Sequence, residues 1–201
     1  MTCTDYVPAL LECGRERAAA ERLDVAFETA DAEALPYADG AYDTVLSVFG
    51  AMFAPDQPQA AAELLRVCRP GGLIGLAAWT PEGFLGDWFR ATAAHAAPPA
   101  GLASPLRWGT EDGIAELLGD EVVSIHTERR AYVWRVPDAA AMVDLFRTWY
   151  GPTLKAFSTV GRDGEAALER DLLAVIERAA HRRGDAIAVP AEYLEVVAVR
   201  R

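Results

Sequence analysis

The side chains best suited to acid–base or metal chemistry are few and scattered along the chain. His95, His126 and His181 stand far apart in sequence and form no pair with the spacing of metal ligands. As general bases, His95, His126 and Asp87 are candidates, but each is more simply explained as a surface or strand residue. The histidine pattern therefore predicts no metal site, and it leaves the catalytic base unassigned.

Two aspartates stand beside predicted turns. Asp5 precedes the helix predicted from Pro8, and Asp31 lies in a polar turn after the short strand candidate Val25–Phe27. On local grounds, an aspartate near the chain start caps a helix, and Asp31 serves as a turn residue. A ligand-binding role is the alternative for both, and the residue types alone leave it open.

The composition indicates a globular chain with an acidic surface. The 201 residues are 52% hydrophobic and 24% charged, with a formal net charge of −11. This length and apolar content fit one large domain, or one domain with an insertion, and exclude collagen-like and disordered classes. Scattered arginines on so acidic a chain make a poor binder of phosphate backbones, so we expect no nucleic-acid partner.

Cysteine usage and hydropathy indicate a location and exclude a membrane partner. Cys3, Cys13 and Cys68 are odd in number and lack CxxC spacing, which favours reduced thiols in the cytoplasm. The first residues lack the basic start and apolar core of a signal peptide. No stretch approaches the ~20 apolar residues needed to cross a bilayer. The sequence therefore predicts a cytoplasmic protein, and it leaves the oligomeric state open.

Alternating strands and helices are predicted for the first 80 residues. The helices are predicted over 8–22 and 57–68, and the strands over 25–27, 42–49 and 73–79. The strand over 42–49 is nearly continuous in apolar and β-branched residues, which predicts burial on both faces. Strand, helix and strand at this spacing predict a parallel sheet with right-handed crossovers.

The second part of the chain is richer in predicted helix. Helices are predicted over 84–96, over 110–118, from Asp138 to Tyr150 and around 168–179, and strands over 122–135 and 193–199. We expect an antiparallel pair near 121–136 and 192–200, with inserted helices between 84 and 183. One domain over 1–201 is predicted, with a core over 1–80 and a helical cover plus the terminal strands over 81–201.

Four segments follow one another in the order Thr4–Pro8, Asp31–Tyr37, Tyr42–Val48 and Leu64–Gly72. Together they resemble motifs of the class I S-adenosylmethionine-dependent methyltransferases, in the group similar to ubiquinone/menaquinone-type and other small-molecule methyltransferases. Thr4–Pro8 resembles the end of that family's second strand, and Asp31–Tyr37 resembles its adenine-binding turn. Tyr42–Val48 resembles the fourth strand, and Leu64–Gly72 the helix and turn before the fifth. Phe146–Lys155 also resembles a segment of such bacterial enzymes. The resemblance implies a Rossmann-like α/β fold and S-adenosylmethionine as cofactor.

The resemblance also implies roles for particular residues. Asp5 would accept hydrogen bonds from the two ribose hydroxyls, and Tyr6 would offer an apolar surface to the adenine ring. Asp31 would accept from the adenine amino group, while the Ala32 backbone N–H would donate to a ring nitrogen. Ser47 would lie under the methionine part of the cofactor.

Aromatic side chains near strand ends are candidates for the pocket that takes the methyl acceptor. Phe49, Phe53 and Trp79 are the first choices. The alternative is that these aromatic residues simply pack in the hydrophobic core. Methyl transfer from a sulfonium is an in-line displacement in which positioning supplies much of the acceleration, so no base need be visible.

One element of the family pattern is missing from the 201 residues. The glycine-rich loop after the family's first strand should lie upstream of Asp5, and Gly71–Gly72 follows the wrong element to replace it. We expect an α/β methyltransferase sheet truncated at its N-terminus, because the true protein starts earlier. The predicted function is S-adenosylmethionine-dependent methylation of a small organic molecule; the alternative is a non-catalytic methyltransferase-like domain, or a fragment, that binds no cofactor.

Overall fold

A computed structural model describes the backbone of residues 1–201 and all side chains except that of Arg183. The strands are β1 (Thr2–Asp5), β2 (Ala26–Thr29), β3 (Tyr42–Val48), β4 (Cys68–Trp79), β5 (Val122–Val136), β6 (His181–Arg183) and β7 (Ala186–Arg200). The α-helices are α1 (Pro8–Glu21), α2 (Gln57–Val67), α3 (Phe84–His95), α4 (Glu111–Leu118), α5 (Ala139–Trp149) and α6 (Gly151–Ala179). Short 3-10 helices lie at Ala51–Phe53, Pro105–Gly109 and Gly119–Glu121.

The strands form two sheets, and the α/β class predicted from the sequence is confirmed. In the smaller sheet, β1 and β2 pair in parallel, with Thr2 opposite Ala26 and Asp5 opposite Thr29. The larger sheet has the strand order β3-β4-β7-β5, and β6 pairs with β7 in an antiparallel hairpin that the sequence did not predict. β3 and β4 pair in parallel, so the predicted parallel arrangement of these two strands is correct.

The chain divides into two compact units. Unit 1 comprises residues 1–77, 111–127 and 196–201, and unit 2 comprises residues 78–110 and 128–195. The first break falls close to residue 80, where the composition of the predicted elements changes.

Local chemistry explains the helices of unit 1. Pro8 occupies the first turn of α1, where its missing N–H costs nothing. The Asp56 carboxylate caps α2 by accepting a hydrogen bond of 3.0 Å from the Gln59 N–H. The apolar face of α2 buries Leu64 and Leu65, and this helix packs against α4.

The prediction that β3 is buried on both faces is wrong. The side chains of Leu46 and Val48 are 66% and 67% exposed, whereas Ile74 and Leu76 on β4 are 0% and 4% exposed. β3 stands at the end of the strand order and has β4 as its one neighbour in the sheet. Apolar and β-branched residues make a strand able to pack on both faces. Whether both faces are buried depends on the helices and strands around it.

Unit 2 is built on helices that pack against α6. Both α3 and α5 contact α6, and the buried Trp88 indole donates a hydrogen bond of 2.9 Å to the Thr153 hydroxyl. α6 consists of two helical stretches that meet at Gly161, where φ is 64°. The sequence predicted the end of α5 and the later stretch of α6, but it missed the helix over 151–160.

Aromatic rings fill much of the interior of unit 2. The rings of Trp88 and Phe146 lie 4.8 Å apart, and those of Trp79 and Trp134 lie 5.4 Å apart. We call this group the aromatic cluster; its members are Trp79, Phe84, Trp88, Trp134, Phe146, Tyr150 and Tyr193. Offset and edge-on ring pairs of this kind add to the free energy gained from burial alone.

Candidate functional site

Asp5 and Asp31 lie at the same edge of the smaller sheet. Asp5 is the last residue of β1 and pairs with Thr29, the last residue of β2. Asp31 follows Thr29 by two residues. The Ala30 N–H donates a hydrogen bond of 3.2 Å to the Asp5 carbonyl oxygen, so the chain entering Asp31 remains beside β1. Because the strands are parallel, both carboxylates follow carboxyl ends, which is where open α/β sheets bind ligands.

Each of these carboxylates also has a local structural role. The Oδ1 atom of Asp5 accepts a hydrogen bond of 2.7 Å from the Val7 N–H, just before α1 begins. Oδ1 of Asp31 accepts one of 2.9 Å from the Glu33 N–H, in an Asx turn. Among the described contacts, none engages the second carboxylate oxygen of either residue. The structural interpretation therefore accounts for one oxygen of each and leaves the other available to a ligand.

The residues predicted to accompany the two aspartates are accessible. The Tyr6 side chain is 74% exposed and directly follows Asp5, so its ring lies at the surface. Ala32 is half-buried within the turn that the Ala34 N–H closes onto the Asp31 carbonyl oxygen at 3.1 Å. This edge of the smaller sheet therefore carries the carboxylates of Asp5 and Asp31, the exposed Tyr6 ring and a tight turn.

The carboxyl end of β3 carries an unusual backbone conformation. Phe49 has a φ of 55°, in the left-handed region that non-glycine residues rarely adopt. Its N–H donates a hydrogen bond of 2.9 Å to the Ala77 carbonyl oxygen, and the Ser47 hydroxyl accepts one of 2.9 Å from the Ala51 N–H. Ser47 therefore supports the turn into the 3-10 helix, and strain of this kind clusters at ligand sites.

The three aromatic residues predicted for the acceptor pocket have different surroundings. Phe53 is 37% exposed, Phe49 is half-buried, and both belong to unit 1. Trp79 is only 5% exposed and belongs to the aromatic cluster of unit 2, which is the placement expected of a core residue. Near it, burial raises the pKa of the Tyr150 phenol, and the Trp79 indole opposes this shift only in part.

The candidate bases have different surroundings, and His95 is half-buried. The His95 imidazole lies 2.6 Å from an Asp171 carboxylate oxygen, and Asp87 pairs with Arg90 at 2.5 Å. His126 is exposed on β5. Among the described side chains, no group of three metal-ligating residues comes together. Within residues 1–201 as described, none of the helices combines the length and the apolar character needed to span a bilayer.

Comparison with known proteins identifies the family. Residues 1–76 match a family model described as a methyltransferase domain, which coincides with the first segment of unit 1. The uncharacterized protein Rv1405c of Mycobacterium tuberculosis is 40% identical over 205 residues, covering 98% of this chain and 72% of that protein. The demethylmenaquinone methyltransferase of Deinococcus radiodurans is 38% identical over 100 residues, covering 49% of this chain and 42% of that enzyme.

Solved structures agree on the fold. A putative methyltransferase from Bacillus halodurans superposes with a TM-score of 0.57 at 14% identity, covering 98% of this chain and 81% of that one. The sequence resemblance, the domain match and the fold agree. The chain belongs to the same family as Rv1405c, and its residues 1–76 identify it as a methyltransferase-domain protein with the fold of the class I S-adenosylmethionine-dependent methyltransferases.

Proposed function

We propose that this protein transfers a methyl group from S-adenosylmethionine to a small organic molecule, with the cofactor's nucleoside at the carboxyl edge of β1 and β2. The placement of Asp5 and Asp31 at one edge of a parallel pair carries the proposal. The methyltransferase-domain match over the same residues supports it.

The residues at this edge fit the nucleoside half of the cofactor. Asp5 would accept hydrogen bonds from the ribose hydroxyls, and the exposed Tyr6 ring would cover one face of adenine. Asp31 would accept from the adenine amino group, and the Ala32 N–H would donate to a ring nitrogen. Ser47 and the strained turn at Phe49 would lie beside the methionine part.

The chain's own contribution to the reaction is positioning. The cofactor, when bound, supplies an electrophilic methyl group on a sulfonium. Residues that hold the two reactants in line remove much of the entropic barrier without a proton transfer, so no base is assigned. Phe49 and Phe53, both in unit 1, would form the apolar wall against which the acceptor lies.

The proposed partner is a small-molecule methyl acceptor, not nucleic acid or a membrane. The net charge of −11 disfavours polyanionic partners. The name of the Deinococcus relative supports an apolar ring compound as a class of acceptor. The free thiols of Cys3, Cys13 and Cys68 support a cytoplasmic location.

Calorimetric titration with S-adenosylmethionine and S-adenosylhomocysteine tests the proposal, using protein expressed from its whole coding frame. We expect binding that weakens about 10- to 100-fold in Asp5→Asn and Asp31→Asn, because each loses a charge-assisted hydrogen-bond acceptor. Asp24→Asn is the matched control, since Asp24 is exposed and precedes the amino end of β2. Absence of binding would support a non-catalytic domain instead, and equal affinities for all three variants would overturn the roles given to Asp5 and Asp31.

A further inference from the structure

The segment between β2 and β3 lacks regular secondary structure of its own. Residues 30–41 contain an isolated bridge between Asp31 and Ala34, and Gly40 has a φ of 65°. We call residues 30–41 the β2–β3 loop. A connection of this length and composition cannot hold one shape by backbone hydrogen bonds alone, so its geometry depends on contacts with other elements.

The guanidinium of Arg66, on α2, binds the second half of this loop, from residue 35 onward. Nη2 donates to the Leu35 carbonyl oxygen at 2.9 Å, and Nη1 donates to the Tyr37 carbonyl oxygen at 2.6 Å. Nη1 also donates to Oδ1 of Asp39 at 3.0 Å, and the Arg66 carbonyl oxygen accepts from the Gly40 N–H at 2.8 Å. One side chain and its own carbonyl thus fix the course of residues 35–40.

Glu63 lies one helical turn before Arg66. Its carboxylate orients the Arg66 guanidinium and also binds the loop directly. Its Oε1 and Oε2 accept hydrogen bonds of 2.6 and 2.8 Å from Nε and Nη2 of Arg66. Oε2 also accepts one of 2.6 Å from the Leu35 N–H. The residue is only 7% exposed, and its hydrogen bond to Arg66 lowers the pKa of the Glu63 carboxyl. Both backbone polar groups of Leu35 are therefore held, the N–H by Glu63 and the carbonyl oxygen by Arg66.

The near half of the loop is tied to the start of the same helix. Oε1 of Glu33 accepts a hydrogen bond of 2.7 Å from the Asp56 N–H. The Glu33 carbonyl oxygen accepts one of 3.0 Å from the Gln59 side-chain amide. Since the Glu33 N–H is also the donor to Asp31, the turn that carries Asp31 is tied through Glu33 to the start of α2.

We propose that Glu63 and Arg66 are positioning residues that set the affinity and base selectivity of the nucleoside site by holding the Asp31 turn in its binding geometry. This proposal rests on the proposed function, because it assumes that Asp31 faces the adenine. Holding a loop in its bound conformation removes the ordering cost that a ligand would otherwise meet, so releasing the loop weakens binding without removing any ligand contact.

The experiment compares Arg66→Lys and Glu63→Gln with Arg69→Lys. Lysine keeps the charge but loses the planar fork, and glutamine keeps the size but loses the charge. Arg69 is the matched control, because it pairs with Asp43 at 2.5 Å, outside the loop. Affinities for S-adenosylhomocysteine and S-inosylhomocysteine are measured by calorimetry, since inosine carries a ring carbonyl where adenine carries its amino group.

We expect S-adenosylhomocysteine to bind about tenfold or more weakly to both test variants. The preference for adenine over inosine should shrink as well, while Arg69→Lys keeps both properties. General destabilisation would lower neither the selectivity nor the affinity of molecules that remain folded, so the selectivity separates positioning from a merely structural role. Wild-type affinity and selectivity in Arg66→Lys and Glu63→Gln would overturn the inference.

Two further measurements keep the outcomes distinguishable. If wild-type protein binds neither ligand, the proposed function fails; if Asp31→Asn weakens binding but the test variants do not, only the inference fails. Should Arg66→Lys not fold, Asp39→Asn, which alters one of the hydrogen bonds of Arg66, replaces it. Hydrogen exchange of residues 31–41 in the unliganded protein should be faster in Glu63→Gln than in Arg69→Lys, and equal rates would also contradict the inference.

Discussion

The two units are held in shape by different kinds of interaction. In unit 1, the β2–β3 loop is fixed by charged hydrogen bonds from Glu63 and Arg66, and apolar side chains on β3 remain exposed. In unit 2, the aromatic cluster and closely packed backbone fill the interior. Ordering by a few polar contacts suits a surface that must admit a ligand, whereas close packing tolerates little change. The contrast predicts which substitutions each unit tolerates.

The largest effect should come from adding one methyl group to the tightest glycine of unit 2. A Cβ on Gly109 would lie 1.9 Å from the Trp79 carbonyl oxygen, so the backbone must move. We expect Gly109→Ala to lower the free energy of unfolding by about 3 kcal/mol or more. The comparison in unit 1 is Gly75→Ala, whose Cβ would meet only the end of the exposed Leu46 side chain.

Urea unfolding followed by far-ultraviolet circular dichroism measures both variants. Gly75→Ala should cost less than half as much, because the Leu46 side chain can move aside. Equal losses in the two variants would contradict the proposed difference in packing between the units. Gly151→Ala serves as a further control, since nothing lies within 4 Å of the added Cβ.

A smaller effect is expected from breaking the buried hydrogen bond of unit 2. Thr153→Val removes the acceptor of the Trp88 indole N–H and leaves that donor buried without a partner. The cost should be about 2 kcal/mol. Thr159→Val, at an exposed position of the same helix, is the matched control and should change stability little. The same urea titration measures both, and a Thr153→Val variant as stable as wild type would show that packing alone orders this region.

The smallest effect should be a change in how the stability of unit 1 depends on acid. Because the pKa of Glu63 is lowered in the folded state from its ordinary value of 4.5, its stabilisation is complete above that pH and is lost as the pH falls below it. Glu63→Gln removes this titration, so we expect its loss of unfolding free energy as the pH falls below about 4.5 to be shallower than that of wild type. Urea titrations across this range, with Glu16→Gln on α1 as the control for one lost charge, measure the slopes. Identical slopes in Glu63→Gln and wild type would contradict the role given to this carboxylate.

Local patterns in the sequence predicted most elements and the placement of the two aspartates. The helix over 57–68 follows from its apolar spacing and from Pro70 just beyond it, and α5 follows from the Asp138 cap, which accepts from the Ala141 N–H at 2.8 Å. Asp5 and Asp31 could be found because each stands where a short strand ends within a family-like motif. These features depend on residues close together in the chain.

The features that sequence reasoning missed depend on distant residues. The exposure of Leu46 on β3 follows from the strands and layers around it, which the strand's own residues do not encode. The hydrogen bonds of Arg66 reach residues 27 to 31 positions earlier, and the one local signal was the i, i+3 spacing of Arg66 from Glu63, which directly precedes the Leu64–Gly72 motif. The helix over 151–160 was missed because Gly151–Pro152 is typical of a helix end, whereas here Pro152 lies in the first turn of α6.

The distribution of the tryptophans between the two units has a practical consequence for experiments on this protein. All five tryptophans of the chain belong to unit 2: Trp79, Trp88, Trp108, Trp134 and Trp149. Intrinsic tryptophan fluorescence is therefore a built-in optical label for that unit. Tyr6, Tyr37 and Tyr42 give unit 1 only tyrosine emission. Heating the protein while recording emission and circular dichroism together would show whether the two units melt in one cooperative step or in succession.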